Sequence, residues 1–173
     1  MRALVAVTWC VAALLVARSA VASEWGLLVP AQTTQTLVTG SYGAPTRTET
    51  VRMDGRDVQE WIYEGNQAPA GMRRLTIDFG VAAADGFHPE VIRQFTLEPN
   101  PAIFTMAMVV YGWGQPNRVG RRGETDWFFY QDGLVVYFNG GEPNAVMMVF
   151  SPPQASPPDS SSSGSEEASP SKP

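Results

Sequence analysis

Cysteine is almost missing from this chain: its 173 residues hold one, Cys10. It lies inside an uncharged apolar run at residues 3–17 and directly follows Trp9, where a lipidation site would need a small residue. Met1-Arg2, that run and the small-residue segment Ser19-Ala20-Val21-Ala22-Ser23 make the three parts of a secretory leader, with cleavage expected after Ala22. Cys10 then leaves as a small hydrophobe, and the mature chain has neither disulfides nor thiolate-bound metal. Long hydrophobic runs are lacking too. Residues 3–17 fall short of the ~20 apolar residues that a spanning helix needs, and Arg18 closes the run. Membrane association is therefore expected only through a partner or an uncleaved leader.

Histidine is equally scarce. The one histidine, His88, sits in Asp85-Gly86-Phe87-His88-Pro89-Glu90, a Gly/Pro setting that reads as a solvated turn. With no G-x-S-x-G elbow it has no evident triad to complete. It also lacks His or Cys companions for a metal, and no D-x-D-x-D-G spacing offers a calcium loop, so no metal and no cofactor are expected. Asn139-Gly140-Gly141 is a turn without the lysine and following helix of a phosphate loop. Basic residues are few: 12 Lys+Arg face 17 Asp+Glu, and losing Arg2 and Arg18 with the leader takes the formal net charge from -5 to -7. An acidic domain with scattered arginines is a poor match to nucleic acid and has no polybasic segment for anionic lipid.

What the chain does have is a sharp compositional boundary. Residues 151–173 contain 9 Ser and 6 Pro and nothing larger than Gln or Lys, so the tail is expected to be disordered. The folded part is then residues 23–150, enough for one domain.

That part reads as two similar halves, about 23–98 and 99–150. Thr33 to Pro45 ends in Tyr42-Gly43-Ala44-Pro45, and a polar loop leads to Trp61-Ile62-Tyr63. Thr105 to Pro116 ends in Trp113-Gly114-Gln115-Pro116, and another polar loop leads to Trp127-Phe128-Phe129-Tyr130. The corner prolines are 71 residues apart and Trp61 and Trp127 are 66 apart, so a shorter second loop reconciles them. Thr33 or Thr34 can cap a helix reaching about Ser41. Asn100-Pro101 can start a second one ending near Gly112, apolar nearly all round and hence well buried, although Val109-Val110-Tyr111 also suits a strand. Bulky residues alternate in Val58–Tyr63, Leu75–Phe79 and Val91–Leu97. Trp127–Tyr130 and Leu134–Phe138 are joined by Gln131-Asp132-Gly133, a hairpin signal, and Ala145–Phe150 supplies a last strand. The fold class expected is α+β, two αβββ-like units with short helices packed on antiparallel sheet.

The Thr33-Thr34, Val38, Gly43-Ala44-Pro45 and Trp61-Ile62-Tyr63 pattern resembles the SmpA/OmlA (BamE-like) family of small outer-membrane assembly lipoproteins. It recurs more loosely at Gly114-Gln115-Pro116, Trp127-Phe128-Phe129 and the hairpin around Gly133. The family's lipidated cysteine is missing here. The tandem arrangement also resembles the secreted β-lactamase-inhibitory proteins, built from two similar repeats. Both resemblances imply a binding protein without catalysis, placed in the periplasm or secreted, with outer-membrane association a further implication of the first. Its partner would be a protein of the cell envelope, in outer-membrane protein assembly or, alternatively, an enzyme that it inhibits.

Two sets of residues carry candidate chemistry. The loop Gly114–Glu124 holds Arg118, Arg121 and Arg122, a positive patch on an acidic protein, with Trp113 at its entrance. Arg and Trp are enriched at interface centres, so these four are the candidate partner-binding residues. Glu60, Glu64, Glu124 and Asp126 flank the Trp strands and leave a small carbohydrate-active enzyme as a third reading, although edge-strand charges explain them more simply. Phe128–Tyr130 with Tyr137 and Phe138 could form a face that a partner covers, or alternate between core and surface. Met147-Met148 reads as core filler.

Overall fold

The structure, a computed structural model, describes residues 22–153. The expected leader, except Ala22, and the Ser/Pro-rich stretch from residue 154 onward lie outside the described residues. In chain order the elements are α1 (Gln35–Tyr42), β1 (Arg47–Met53), β2 (Arg56–Glu64), β3 (Met72–Ala83), β4 (Gly86–Pro99), α2 (Met106–Trp113), β5 (Arg118–Arg122), β6 (Thr125–Phe129), β7 (Leu134–Asn139) and β8 (Ala145–Phe150). All eight strands join one antiparallel sheet in the order β1-β2-β3-β4-β8-β7-β6-β5.

This overturns the expected α+β class of two αβββ-like units. The sheet dominates, each half contributes four strands, and the helices are only eight residues long. The unexpected strands are β1 and β5, which have the sequence character of polar loops. Both are edges of the sheet and largely exposed, so neither shows the apolar alternation that a half-buried strand imprints.

Period-two alternation supplies the core. Leu75, Ile77 and Phe79 of β3, Leu134, Val136 and Phe138 of β7, and Met148 and Phe150 of β8 are fully buried on one face. Each such side chain contributes roughly 1.5–3 kcal/mol through burial. The halves are sewn together where β4 meets β8, through the pairs Phe95–Phe150, Thr96–Val149 and Leu97–Met148. There the Phe95 and Phe150 rings stack with centroids 4.5 Å apart.

The helices depart from expectation as well. Asn100-Pro101 does not start α2; Thr105 caps it, its Oγ1 accepting from the Met108 N–H at 3.3 Å. Val109 is the helix's buried residue, while Met108 and Tyr111 are exposed, so an apolar sequence here does not mean a buried helix. At the β6–β7 hairpin the expected turn forms, with Gly133 at φ 96°. A side chain there would run into the Ser151 carbonyl, so both backbone conformation and space demand glycine.

Candidate functional site

Strand pairing places the two faces of the sheet without ambiguity, because directly paired residues share a face. One row runs Ile62, Thr76, Thr96, Val149, Val135, Phe129, Arg118 across seven strands. A neighbouring row runs Met147, Tyr137, Trp127, Gly120. Both belong to the face away from the core, since Phe128, Val136 and Met148 point the other way.

The two halves of this face differ in chemistry. On β2–β4 it is polar, and most of its charges are paired with one another. Arg74 reaches Glu64 at 2.9 Å and Glu98 at 3.5 Å, Arg47 reaches Glu64 at 2.7 Å, and the Asp78 carboxylate accepts from Gln94 at 2.7 Å and Arg93 at 3.3 Å. Glu60 lies beside Asp78, and desolvation, then that neighbouring carboxyl, raises its pKa. On β6–β8 the same face is apolar. Trp127, Phe129, Val135, Tyr137, Val146 and Met147 line a concavity of about 710 Å³, with Arg122 and Thr125 also in its wall.

Gly120 helps to form this concavity. Gly120 and Trp127 are cross-strand partners, and the indole lies across the glycine so closely that a Cβ there would collide with it. The ring therefore covers the backbone of the outermost strand and extends the apolar surface to the sheet edge, with Arg118 and Arg122 on either side along β5.

The four residues expected to bind a partner are not brought together. Trp113 packs on the core side, edge-on to Phe104 and Phe150, and its Nε1 donates to the Glu24 carbonyl at 3.3 Å. Arg121 is on that side too, held by Asp126 through a bond of 2.8 Å to Oδ2 and a second from its Nε. This pairing holds the Asp126 carboxyl below its usual range. Of the three arginines, Arg118 and Arg122 share the sheet face of the concavity and Arg122 lines it, and the stretch that carries all three is a strand, not a loop.

Of the other residues considered, Glu124 accepts a backbone bond from the Gly140 N–H, and Asp126 is engaged by Arg121. His88 is in β4, not a turn, opposite Val81, with Asp85 at 3.0 Å from its Nε2 and Glu90 at 3.7 Å from its Nδ1. Among the described residues no group of three or more His, Cys, Asp or Glu is placed to hold a metal, and no helix is long and apolar enough to cross a membrane.

The concavity is hidden in the sequence because Trp61 and Trp127 look like counterparts there. The position equivalent to Trp61 is Phe128: Trp61 pairs with Ile77 and meets Phe79 edge-on at 4.8 Å, while Phe128 pairs with Val136 and meets Phe138 at 4.9 Å. Shifting a strand by one residue exchanges its faces. Trp127 is therefore on the outside.

No protein-family model matches the chain. No curated protein matches it either. Among solved structures, the crystal structure of a DUF4309 family protein (YjgB) from Bacillus subtilis is similar at 16% identity, covering 72% of this chain and 82% of that chain with a TM-score of 0.43.

Proposed function

We propose that this chain is a non-catalytic protein-binding module of the cell envelope and that it captures its partner on the β5–β8 half of the outer sheet face. The supporting observation is the concavity lined by Trp127, Phe129, Tyr137, Val135, Val146 and Met147. Contiguous apolar surface of this kind on a folded domain, rich in large aromatics, is typical of interaction sites. On the polar half of the same face most charges are paired with one another, Arg47 and Arg74 with Glu64 and Arg93 with Asp78, which offers a partner less. The envelope setting rests on the leader-like first residues, and a role in outer-membrane protein assembly rests on the SmpA/OmlA resemblance.

A second reading, inhibition of a secreted or periplasmic enzyme, is favoured by the shape of the surface. A concavity several side chains across suits a protruding loop of a folded protein better than a flat patch would. Both readings use the same residues and are separated by the partner's identity.

The test is capture from crosslinked envelopes by the tagged full chain and by its Trp127→Ala/Tyr137→Ala variant, after matched melting curves. Loss of one particular protein with the variant supports the proposal. Identical capture by both chains removes this face from consideration.

A further inference from the structure

We infer that the concavity receives a protruding loop of the partner that carries a large apolar side chain and, about 7 Å from it, a carboxylate taken by Arg122. The inference rests on the binding reading above and specifies the partner's chemistry.

Strand register gives the concavity a direction. Arg122 pairs with Thr125 at one end. Two residues along the strands, Trp127 pairs with Tyr137 and Tyr137 with Met147. Two residues further, Phe129 pairs with Val135. The lining therefore passes from a cation and a hydroxyl, through the indole and phenol, to a purely apolar end. At the usual rise of ~3.4 Å per residue, each row lies about 7 Å from the next. Trp127, Phe129, Val135, Tyr137 and Met147 are half-buried, so each leaves apolar surface in water for a partner to cover. Arg122 is exposed and makes no ion pair with any described residue. Its neighbour Arg121 is bound to Asp126 on the other face, and on the adjoining half Arg47, Arg74 and Arg93 are paired with Glu64 and Asp78. An apolar group laid over the rings excludes water beside the Arg122 guanidinium and strengthens its attraction for a carboxylate. A lysine presented there would meet like charge instead.

Shape selects a loop. A second copy presents the same hollow, and two hollows set face to face leave a gap where an interface needs contact. A flat sheet face would bridge the rim without reaching Trp127 and Tyr137. The tip of a loop enters, and the hollow, about 710 Å³, has room for more than one of its side chains. On an extended arm of such a loop, residues two apart point the same way at the spacing of the rows. One then covers the rings while the other meets Arg122.

The experiment titrates the isotope-labelled full chain with cyclic hexapeptides closed through D-Pro-Gly, and with free phenylpropionate. The peptide loops carry Phe and Glu, Phe and Gln, Phe and Lys, or Ser and Glu, two residues apart. NMR shifts give both affinity and position. The Phe/Glu loop should move the Trp127 indole N–H and the Arg122 Nε–H signals. It should bind about threefold tighter than Phe/Gln and about tenfold tighter than Phe/Lys, the scale of one rim ion pair gained or reversed. Arg122→Glu should invert the order of Glu and Lys and leave the Phe/Gln affinity unchanged, which separates charge recognition from misfolding. Equal affinity of the three Phe loops overturns the inference but leaves the concavity as a binding face. A Ser/Glu loop as tight as Phe/Glu also overturns it, because the apolar group then contributes nothing. Tighter binding of phenylpropionate than of the Phe/Glu loop overturns it by assigning the site to a small amphiphile. Shifts at Trp127 that grow with protein concentration alone overturn it by assigning the face to a second copy. Binding of no probe overturns it too, and the capture comparison above then decides separately whether the protein-binding reading stands.

Discussion

The Tyr63 hydroxyl donates to the Gly43 carbonyl at 3.1 Å, tying the inner sheet face to the residue that ends α1. Tyr130 makes the same bond to Gly114, at the end of α2, also at 3.1 Å. Each bond fixes a short helix that buries little of itself. Tyr63→Phe and Tyr130→Phe should therefore each lower stability by about 0.5–1.5 kcal/mol, because each removes one part-buried hydrogen bond. Urea unfolding measures this directly, and unchanged midpoints for both variants would refute the role assigned to these bonds.

The same tyrosine gives the protein an alkaline limit. Burial, then the nearby Tyr42, pushes the Tyr63 phenol up to about 12. The folded value is above the unfolded one of about 10. The stability that depends on the neutral phenol is therefore complete below about pH 10 and lost as pH rises toward 12. Melting temperatures taken from pH 8 to pH 11.5 should fall at the top of that range, and less steeply for Tyr63→Phe. A parallel pair of curves would contradict the assignment.

How much of this was legible in the sequence depends on burial. Strands β2, β3, β4, β6, β7 and β8 have one face in the core, so Leu75–Phe79 and Ala145–Phe150 betray themselves by alternation. The edges β1 and β5 bury almost nothing, and Arg47–Met53 and Arg118–Arg122 look like loops for that reason. The candidate site suffered more. Its members, Trp127, Phe129, Tyr137 and Met147, come together only through strand pairing. The alternation in Thr125–Phe129 could have placed Trp127 opposite Phe128, but only with the register fixed by Tyr130 and Leu134, which sequence spacing alone does not supply.

His88 should behave as a modest pH-sensitive contact. Its hydrogen bond to Asp85, then the charge of Asp85, raises its pKa above the ordinary 6.5, while Asp85 is lowered in turn. The contribution of the pair is present below about pH 6.5 and fades as pH rises through the raised histidine value. It is lost again at low pH as Asp85 protonates below its own ordinary 3.8. Both groups are at the surface, so the effect on stability should be small. An NMR titration should place the His88 midpoint above 6.5 and find it lowered in Asp85→Asn. An identical midpoint in the variant would dismiss the contact.

Two glycines should respond differently to the same substitution. Gly133→Ala forces a residue with a side chain into φ 96° and pushes a methyl group against the Ser151 carbonyl, which has little freedom to retreat. A loss of about 2–4 kcal/mol is expected from the combined conformational and steric conflict. Gly120→Ala meets only the Trp127 ring, a side chain that can swing into the concavity. Its cost should stay near ~1 kcal/mol, with altered tryptophan fluorescence reporting the displaced ring. If Gly120→Ala proved the more damaging of the two, the indole would have to be a fixed part of the fold and not a surface element.

The sharpest separation of folding from binding lies between two tryptophans. Trp113 packs edge-on against Phe104 and Phe150 and bonds the Glu24 carbonyl, joining α2, the end of β8 and the segment before α1. Trp113→Ala should cost about 3 kcal/mol, at the low end for a tryptophan because the ring is only partly buried, and should loosen residues 22–28 in hydrogen exchange. Trp127 lies on the other face over Gly120 and is surrounded by the concavity. Trp127→Ala should leave the unfolding free energy measured in urea within about 1 kcal/mol of the parent, since little core contact is lost, yet abolish capture of the partner. The opposite outcome, a stable Trp113→Ala and an unfolded Trp127→Ala, would mean that the outer face of β5–β8 is a second core and not an open surface. The binding function would then have to be sought at the exposed Tyr111 and Met108 of α2.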